Sequence, residues 1–269
     1  MTKHILAQSA YDQLGLQDAP LLIDVRSASD IERIPRMIPG AIHFDAQDVQ
    51  TWSRRLPVRR SITVYGQGDQ EIEPIVRTLV TKGFSASALG GGLDHWLRHN
   101  LPSVRVREEL GVPGRSQWVT RERPKIDRLA CPWLVRRFID PTAIFFYVAA
   151  PQVRAEASAL GAQPYDIADV TFSHRGPNCS FDAFLDEFDL HDPVLDGLAD
   201  IVRAADTGTL ERSREAPGLL AISLGLSVTI SDDLLLLEQA MPVYDALYAW
   251  CKTARSETHS WPQRQTVQQ

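Results

Sequence analysis

The first hundred residues carry short apolar runs separated by segments with helical spacing. Residues 21–26 and 61–65 are nearly continuous hydrophobic runs, which are typical of parallel strands covered on both faces. Between residues 74 and 82 the apolar positions recur every three or four residues, as on one face of a helix. Strands that alternate with helices predict an α/β sandwich around a parallel sheet.

The pattern changes in the second half of the chain, where helical spacing dominates. The sequence predicts short strands at 117–120, 143–148 and 169–172. It predicts helices at 126–139, 151–160, 180–190, 193–206, 215–225 and 232–254. We therefore expect an α+β domain whose second half is mainly helical.

The length of 269 residues indicates two domains of ordinary size. We assign a first domain to 1–104, a linker to 105–117, a second domain to 118–255 and a flexible tail to 256–269. The net charge of −6 is uneven, because 1–104 are balanced, 105–137 carry +5 and 138–269 carry −11. An acidic chain without a helix-turn-helix or zinc-finger pattern is a poor stand-alone DNA binder.

The sequence indicates neither a membrane segment nor an export signal. No apolar run approaches the roughly 20 residues that span a bilayer, and the N-terminus lacks the pattern of a signal peptide. Three cysteines, Cys131, Cys179 and Cys251, cannot all pair, which favours reduced thiols in the cytoplasm. The oligomeric state is not determined by the sequence.

Several separated motifs in the first domain resemble those of rhodanese (sulfurtransferase) domains. They are residues 23–26, residues 38–41, the strand that ends at Tyr65, and residues 90–96. In active rhodaneses a nucleophilic cysteine follows that strand, and here the position is Gly66. Met37 stands where many members have a histidine. Because glycine has no thiolate, we expect a rhodanese-like scaffold without sulfurtransferase activity.

The second domain resembles the C-terminal domain of ChrB chromate-resistance proteins. The matching motifs are residues 119–134, 172–182, 201–206 and 244–248. Similar proteins fuse a rhodanese-like domain to this one, and the family is associated with chromate resistance as a regulator or accessory protein. Many members have histidine at the position of Arg203 and glutamate at the position of Asp182.

Residues able to bind a metal ion are scattered along the second domain. His174 is expected just beyond a strand, and Cys179 before a helix whose positive end would lower the thiol pKa. Asp206 ends another predicted helix, and Asp127 and Cys131 lie on the first helix. This N, S and O set suits zinc, iron or manganese. The alternative is that both cysteines are buried as small hydrophobic residues and that His174 is only hydrogen-bonded.

A second set of residues is cationic. It comprises Arg121, Arg123, Lys125, Arg128 and Arg175. The planar guanidinium fork matches tetrahedral oxyanions such as chromate or sulfate. The same residues are also compatible with salt bridges between the domains. We expect the neighbouring pair Arg136-Arg137 to lie on a solvated helix face.

Three functions are compatible with these features. We expect foremost a cytoplasmic chromate-resistance-type protein whose second domain binds an oxyanion, a metal ion or both. A chromate-responsive transcription regulator that binds DNA is the first alternative, and a metal- or thiol-dependent enzyme of unknown substrate is the second. The sequence identifies no catalytic residue and indicates no organic cofactor.

Overall fold

The computed structural model describes residues 2–16, 18–57, 60–67, 72–107, 110 and 115–257, so most of the predicted tail lies outside it. The strands are β1 His4–Ile5, β2 Leu21–Asp24, β3 Arg36–Met37, β4 Ala41–His43, β5 Ile62–Tyr65, β6 Ala86–Leu89, β7 Val104–Arg105, β8 Gln117–Arg121, β9 Ile144–Val148 and β10 Gln163–Pro164. The α-helices are α1 Ala7–Gln13, α2 Ala28–Arg33, α3 Val49–Trp52, α4 Glu73–Thr81, α5 Gly92–Arg98, α6 Ile126–Leu134, α7 Val153–Leu160, α8 Ser180–Glu187, α9 Pro193–Asp206, α10 Ala216–Thr229 and α11 Asp233–Ala249. Stretches of π-helix at Val135–Ile139 and Trp250–Ala254 continue α6 and α11.

The N-terminal half is built on a five-stranded parallel sheet, which confirms the predicted sandwich. Its strand order is β1-β6-β5-β2-β4. Every residue of the two inner strands β2 and β5 is buried. Because both faces of a parallel sheet are covered, these strands are mainly apolar, and this is the pattern that the sequence displays.

The C-terminal half places a smaller sheet beside a group of helices, as predicted. Three parallel strands follow the order β10-β8-β9. The strand predicted at 169–172 is wrong, since the chain there forms only one bridge, between Tyr165 and Phe172. Asp166 and Asp169 have φ values of 51° and 55°, which a strand does not accommodate. Of the helices in the described ranges, none is long and apolar enough to cross a bilayer.

The two halves share one hydrophobic core. Tyr65 and Trp96 from the first half belong to the same buried cluster as Trp118, Trp133 and Tyr248 from the second. All five side chains are fully buried. Aromatic residues of this size contribute the largest apolar areas, so the halves stabilise each other through this contact.

The beginning of the predicted linker is part of the fold. Strand β7 pairs antiparallel with β3, which joins Arg105 to Arg36. The backbone N–H of Arg105 also donates to the carbonyl of Phe188 at 2.8 Å. The chain between the domains is therefore fixed to both of them, at least up to residue 107.

Candidate metal centre

Four side chains from three separate segments converge in the C-terminal half. Asp127 lies in the first turn of α6, and Asp206 is the last residue of α9. Asp166 and His174 come from the irregular segment between β10 and α8. A carboxylate is stabilised at a helix N-terminus but destabilised at a C-terminus, so the position of Asp206 costs stability unless a cation is near.

His174 lies at the centre of the group. Its Nε2 is 3.2 Å from Asp127 Oδ2, 3.1 Å from Asp206 Oδ2 and 3.5 Å from Asp166 Oδ1. The ligand atoms of Asp127, His174 and Asp206 all lie within 4.8 Å of one another. The side chain of Asp127 is 2% exposed and that of His174 is 40% exposed, so the group opens to solvent on the histidine side.

Asp127 is held at the bottom of the group with one oxygen unpaired. Its Oδ2 accepts a hydrogen bond from the backbone N–H of Ser180 at the start of α8. Its Oδ1 is buried, and no donor among the described residues reaches it. A buried charged oxygen without a partner costs on the order of 1–3 kcal/mol or more, so a cation bound there would remove a real penalty.

Asp166 is bound by arginines. Arg121 Nη2 lies 2.8 Å and Arg128 Nε 3.2 Å from its Oδ2, while Ser180 Oγ donates to its Oδ1 at 2.9 Å. Burial by itself would raise the pKa of Asp166, but hydrogen bonds from His174 and Arg121 outweigh burial and lower that pKa. Asp166 is therefore ionised and fixed in place.

The remaining charges of the group interact strongly. Hydrogen bonds to Asp127 and then Asp166 raise the pKa of His174 to about 10. Burial, followed by the charges of Asp127 and Asp166, raises the pKa of Asp206 to about 7. In the metal-free protein the imidazolium is thus the cation that offsets Asp127 and Asp206.

With this geometry established, the family assignment follows from two matches. Residues 118–251 match the family described as ChrB, C-terminal domain. That part of the chain belongs to the ChrB C-terminal domain family. Residues 6–99 match the rhodanese-like domain family. The four converging side chains all lie within the ChrB domain.

A curated relative supports the same assignment. The protein named ChrB from Cupriavidus metallidurans is 34% identical over 168 residues, which is 62% of this chain and 49% of that protein. The chain therefore spans about half the length of the curated relative that it matches.

Solved structures similar to this chain include rhodanese-related proteins. The Alr3790 protein from Anabaena sp. is 30% identical, with 39% of this chain and 83% of that chain covered and a TM-score of 0.35. A rhodanese-related protein from Thermoplasma volcanium is 19% identical, with 38% and 97% covered and a TM-score of 0.34. The match of residues 6–99 to the rhodanese-like domain family agrees with the parallel strand order of the sheet.

Three of the five predicted metal ligands meet in the ChrB domain, and one unpredicted residue joins them. Asp127, His174 and Asp206 lie close together, although 32 or more residues separate each from the next. Asp166 was missed. The available signal was an acidic residue just after a parallel strand, but β10 is only two residues long and contains a proline, so it lacks a strand pattern.

The two cysteines do not join this group. Cys179 is the N-cap of α8, where its sulfur and the Asp182 carboxylate form a reciprocal capping box. Burial, followed by the charges of Asp127 and Asp182, raises the pKa of Cys179 far above its ordinary range. The prediction that the helix end lowers this pKa is wrong, because loss of solvent and nearby carboxylates outweigh the helix dipole. Burial likewise raises the pKa of Cys131.

The five predicted oxyanion-binding residues have different partners. Arg121 and Arg128 share Asp166, while Arg175 pairs with Glu187 and donates to the carbonyl of Thr171. Arg123 donates its backbone N–H to Asp233 and a guanidinium N–H to Ser227 O at 2.8 Å. Lys125 is exposed just before α6. Four of the five are thus engaged within the fold.

The two departures from the ChrB pattern contact each other. Arg203 Nε donates to Asp182 Oδ2 at 2.8 Å, and Arg203 Nη2 donates to Asp182 Oδ1 at 2.5 Å. Asp182 also accepts the backbone N–H of Cys179 at 2.9 Å. This bidentate pair joins α9 to the start of α8.

Proposed function

We propose that this chain is a chromate-resistance-type protein whose ChrB domain binds one divalent transition-metal ion through Asp127, His174 and Asp206. The observation that carries the proposal is the buried, unpaired Oδ1 of Asp127 beside two further potential ligands. In this proposal the rhodanese-like domain is a scaffold that packs against the metal-binding domain.

The charge of the group matches a divalent cation. Neither Asp127 nor Asp206 forms an ion pair with an arginine or lysine in the part of the chain that the structure describes, whereas Asp166 has two arginine partners. With neutral His174 as a ligand, Asp127 and Asp206 contribute two negative charges. Asp166 then remains beside the ligands, where Arg121 and Arg128 hold it.

The donor set selects the class of metal. Carboxylates suit manganese, imidazole suits iron and zinc, and the two thiolates that would favour soft metals are absent from the set. Three protein ligands leave positions open for water or for an oxygen of an anion, as in catalytic rather than structural sites. We therefore favour manganese, iron or zinc, with an oxyanion as a candidate further ligand.

Neither a thiol-dependent enzyme nor a DNA-binding regulator has a comparable observation in its favour, whereas a metal-dependent enzyme would use the same metal centre. A thiol-dependent reaction requires a thiolate, and burial raises the pKa of both Cys131 and Cys179. A DNA-binding surface requires free cations, but arginines of the basic stretch at 105–137 pair with Asp166, Glu187, Glu238 and Asp245.

Elemental analysis of tag-free protein tests the metal proposal. After incubation with manganese, ferrous iron or zinc followed by desalting, the wild type should retain about one equivalent of one of these metals. His174→Ala and Asp127→Asn should retain less than a tenth of that amount. His191→Ala is the matched control, because His191 is an exposed imidazole with one carboxylate neighbour, Asp189, at 2.9 Å.

Each outcome of this experiment either supports or contradicts the proposed ligands. Retention in the wild type and the His191 variant, with loss in the two site variants, supports the proposed ligands. A wild type that retains none of the three metals, or a His174 variant that retains as much as the wild type, would contradict them.

A further inference from the structure

A second polar site lies between the two halves of the molecule. A cavity of about 160 Å³ is lined by residues of the rhodanese-like domain, including Gly15, Gly40 and Arg60, and by Arg136, Arg137 and Glu238 of the ChrB domain. One water needs roughly 10–15 Å³ on a comparable measure, so the cavity has room for a ligand of several atoms. None of the predicted site residues lines it.

Three guanidinium groups line this cavity, those of Arg60, Arg136 and Arg137. Two of them are paired with carboxylates. Arg137 binds Asp245 with two hydrogen bonds of 2.8 and 2.9 Å. Arg136 pairs with Glu238 at 2.5 Å and lies over the ring of Phe145. Both are half-buried, so the expected solvated helix face is in fact part of the domain interface.

Arg60 is the cavity arginine that has no carboxylate partner among the described residues. Its Nε donates to the carbonyl of Ala19 at 2.8 Å, and in the described chain it forms no ion pair with a carboxylate. The Arg60 side chain is exposed at the edge of the cavity, and loss of solvent around it, followed by the charge of Arg137, lowers its pKa. Arg60 and Arg137 line the same cavity, and an anion stabilises guanidinium groups that are brought together in this way.

We propose that the cavity between the domains binds a small tetrahedral oxyanion, phosphate or sulfate or the phosphate group of an organic ester. Arg60 contacts it from the rhodanese-like domain, and Arg136 and Arg137 contact it from the ChrB domain. Guanidinium forks approaching from both domains suit an anion with several oxygens better than chloride or a single carboxylate. Glu238 lines the same cavity, but its side chain is 59% exposed, and Arg136 already offsets its charge.

Because the anion contacts both domains, binding raises the stability of the whole molecule. The test measures the unfolding temperature and the heat of binding of the full-length protein with sodium sulfate, sodium phosphate and glycerol phosphate. Sodium chloride and sodium acetate at equal ionic strength are the reference salts. A chelator is present throughout, so that the metal centre does not contribute.

The expected result is saturable stabilisation by at least one of the three oxyanions beyond both reference salts. Arg60→Gln, which keeps a donor for Ala19, should weaken binding tenfold or more. Arg54→Gln, at an exposed arginine outside the cavity, should bind as the wild type does. Circular dichroism without ligand verifies that each variant is folded.

The three anions also distinguish the source of the ligand. Tighter binding of glycerol phosphate than of phosphate indicates an organic phosphate, and the reverse indicates the free ion. If no oxyanion exceeds chloride and acetate, or if Arg60→Gln binds as tightly as the wild type, the proposed site is overturned.

Discussion

Single residues of the candidate metal centre occupy positions that reduce the stability of the metal-free protein. Asp206 ends α9, where the negative end of the helix opposes its charge. Asp127 keeps a buried oxygen without a donor. Natural proteins retain such local conflicts mainly at functional sites, so these two acids strengthen the metal proposal.

Asp206→Asn tests this conflict directly. Because the pKa of Asp206 is raised to about 7, its ionised form is disfavoured in the folded state, and the amide removes that cost. The metal-free variant should be more stable than the wild type by about 1 kcal/mol at pH 8 in chemical denaturation. The gain should shrink as the pH falls below 7 and vanish below about pH 4, where Asp206 is neutral in both states.

The same variant should also lose metal affinity by tenfold or more, since one ligand becomes neutral. Asp200→Asn, on the exposed face of the same helix, provides the control for a general charge effect on α9. A variant less stable than the wild type at pH 8 would show that Asp206 is a purely structural partner of His174.

At the scale of elements, β5 and the segment after it bear on sulfur chemistry. Gly66 directly follows β5, and its carbonyl accepts a hydrogen bond from Leu93 N at 3.1 Å at the start of α5. Residues 68–71, which complete this connection, lie outside the described residues. The end of β5 therefore lies against the start of α5. We predict that Gly66 occupies the position of the rhodanese nucleophile, where its side chain, a hydrogen atom, carries no sulfur.

We expect no transfer of sulfur from thiosulfate to cyanide by the purified protein. The three cysteines are buried, so none of them replaces the missing nucleophile. The assay compares the protein with a heat-denatured sample and with a rhodanese that has its cysteine. Turnover above the denatured sample would contradict the assignment of Gly66 to the nucleophile position.

Elements with strong local signals were predicted closely. Helix α9 has the predicted bounds, because Pro193 opens it and Asp192 caps it by accepting two backbone N–H groups. The strand predicted at 169–172 failed because Asp169 within it, like Asp166 just before it, adopts a left-handed backbone conformation. Aspartate tolerates that conformation without requiring it, so apolar spacing does not reveal it.

On the scale of the whole molecule, one turn of the rhodanese-like domain docks closely on the ChrB domain. The backbone N–H of Gly40 donates to Phe138 O at 2.7 Å. Gly40 has a φ of +73°, and a Cβ atom there would lie 2.6 Å from the carbonyl oxygen of Arg137. Glycine is needed at this position both for its backbone conformation and for the close approach of the two domains.

Gly40→Ala should therefore destabilise the protein more than an equivalent change elsewhere. Gly161→Ala is the matched control, because Gly161 has a φ of +63° and an added Cβ would meet nothing within 4 Å. We expect a loss of about 1 kcal/mol for Gly161→Ala from backbone strain alone. Gly40→Ala should cost about 1–3 kcal/mol more, from overpacking against Arg137.

Urea denaturation at pH 7 measures both values. Equal losses for the two variants would mean that the domain interface adapts to the added methyl group, and that the close contact at Gly40 contributes no specific stability.

The sequence by itself determined the two domains, the parallel sheet, most helices and the kinds of side chain available at the candidate metal centre. These features depend on local periodicity and on residue chemistry, which remain visible along the chain. Asp127, His174 and Asp206 are candidates from the sequence alone because carboxylate and imidazole groups are common metal ligands.

Only the tertiary structure decided which of these residues act together. It placed Asp166 beside them, left Cys131 and Cys179 outside the group, and paired four of the predicted cations within the fold. It also brought Arg60 to Arg136 and Arg137 across the domain interface. Contact and desolvation depend on how distant segments pack, and neither is encoded in the spacing of residues along the chain.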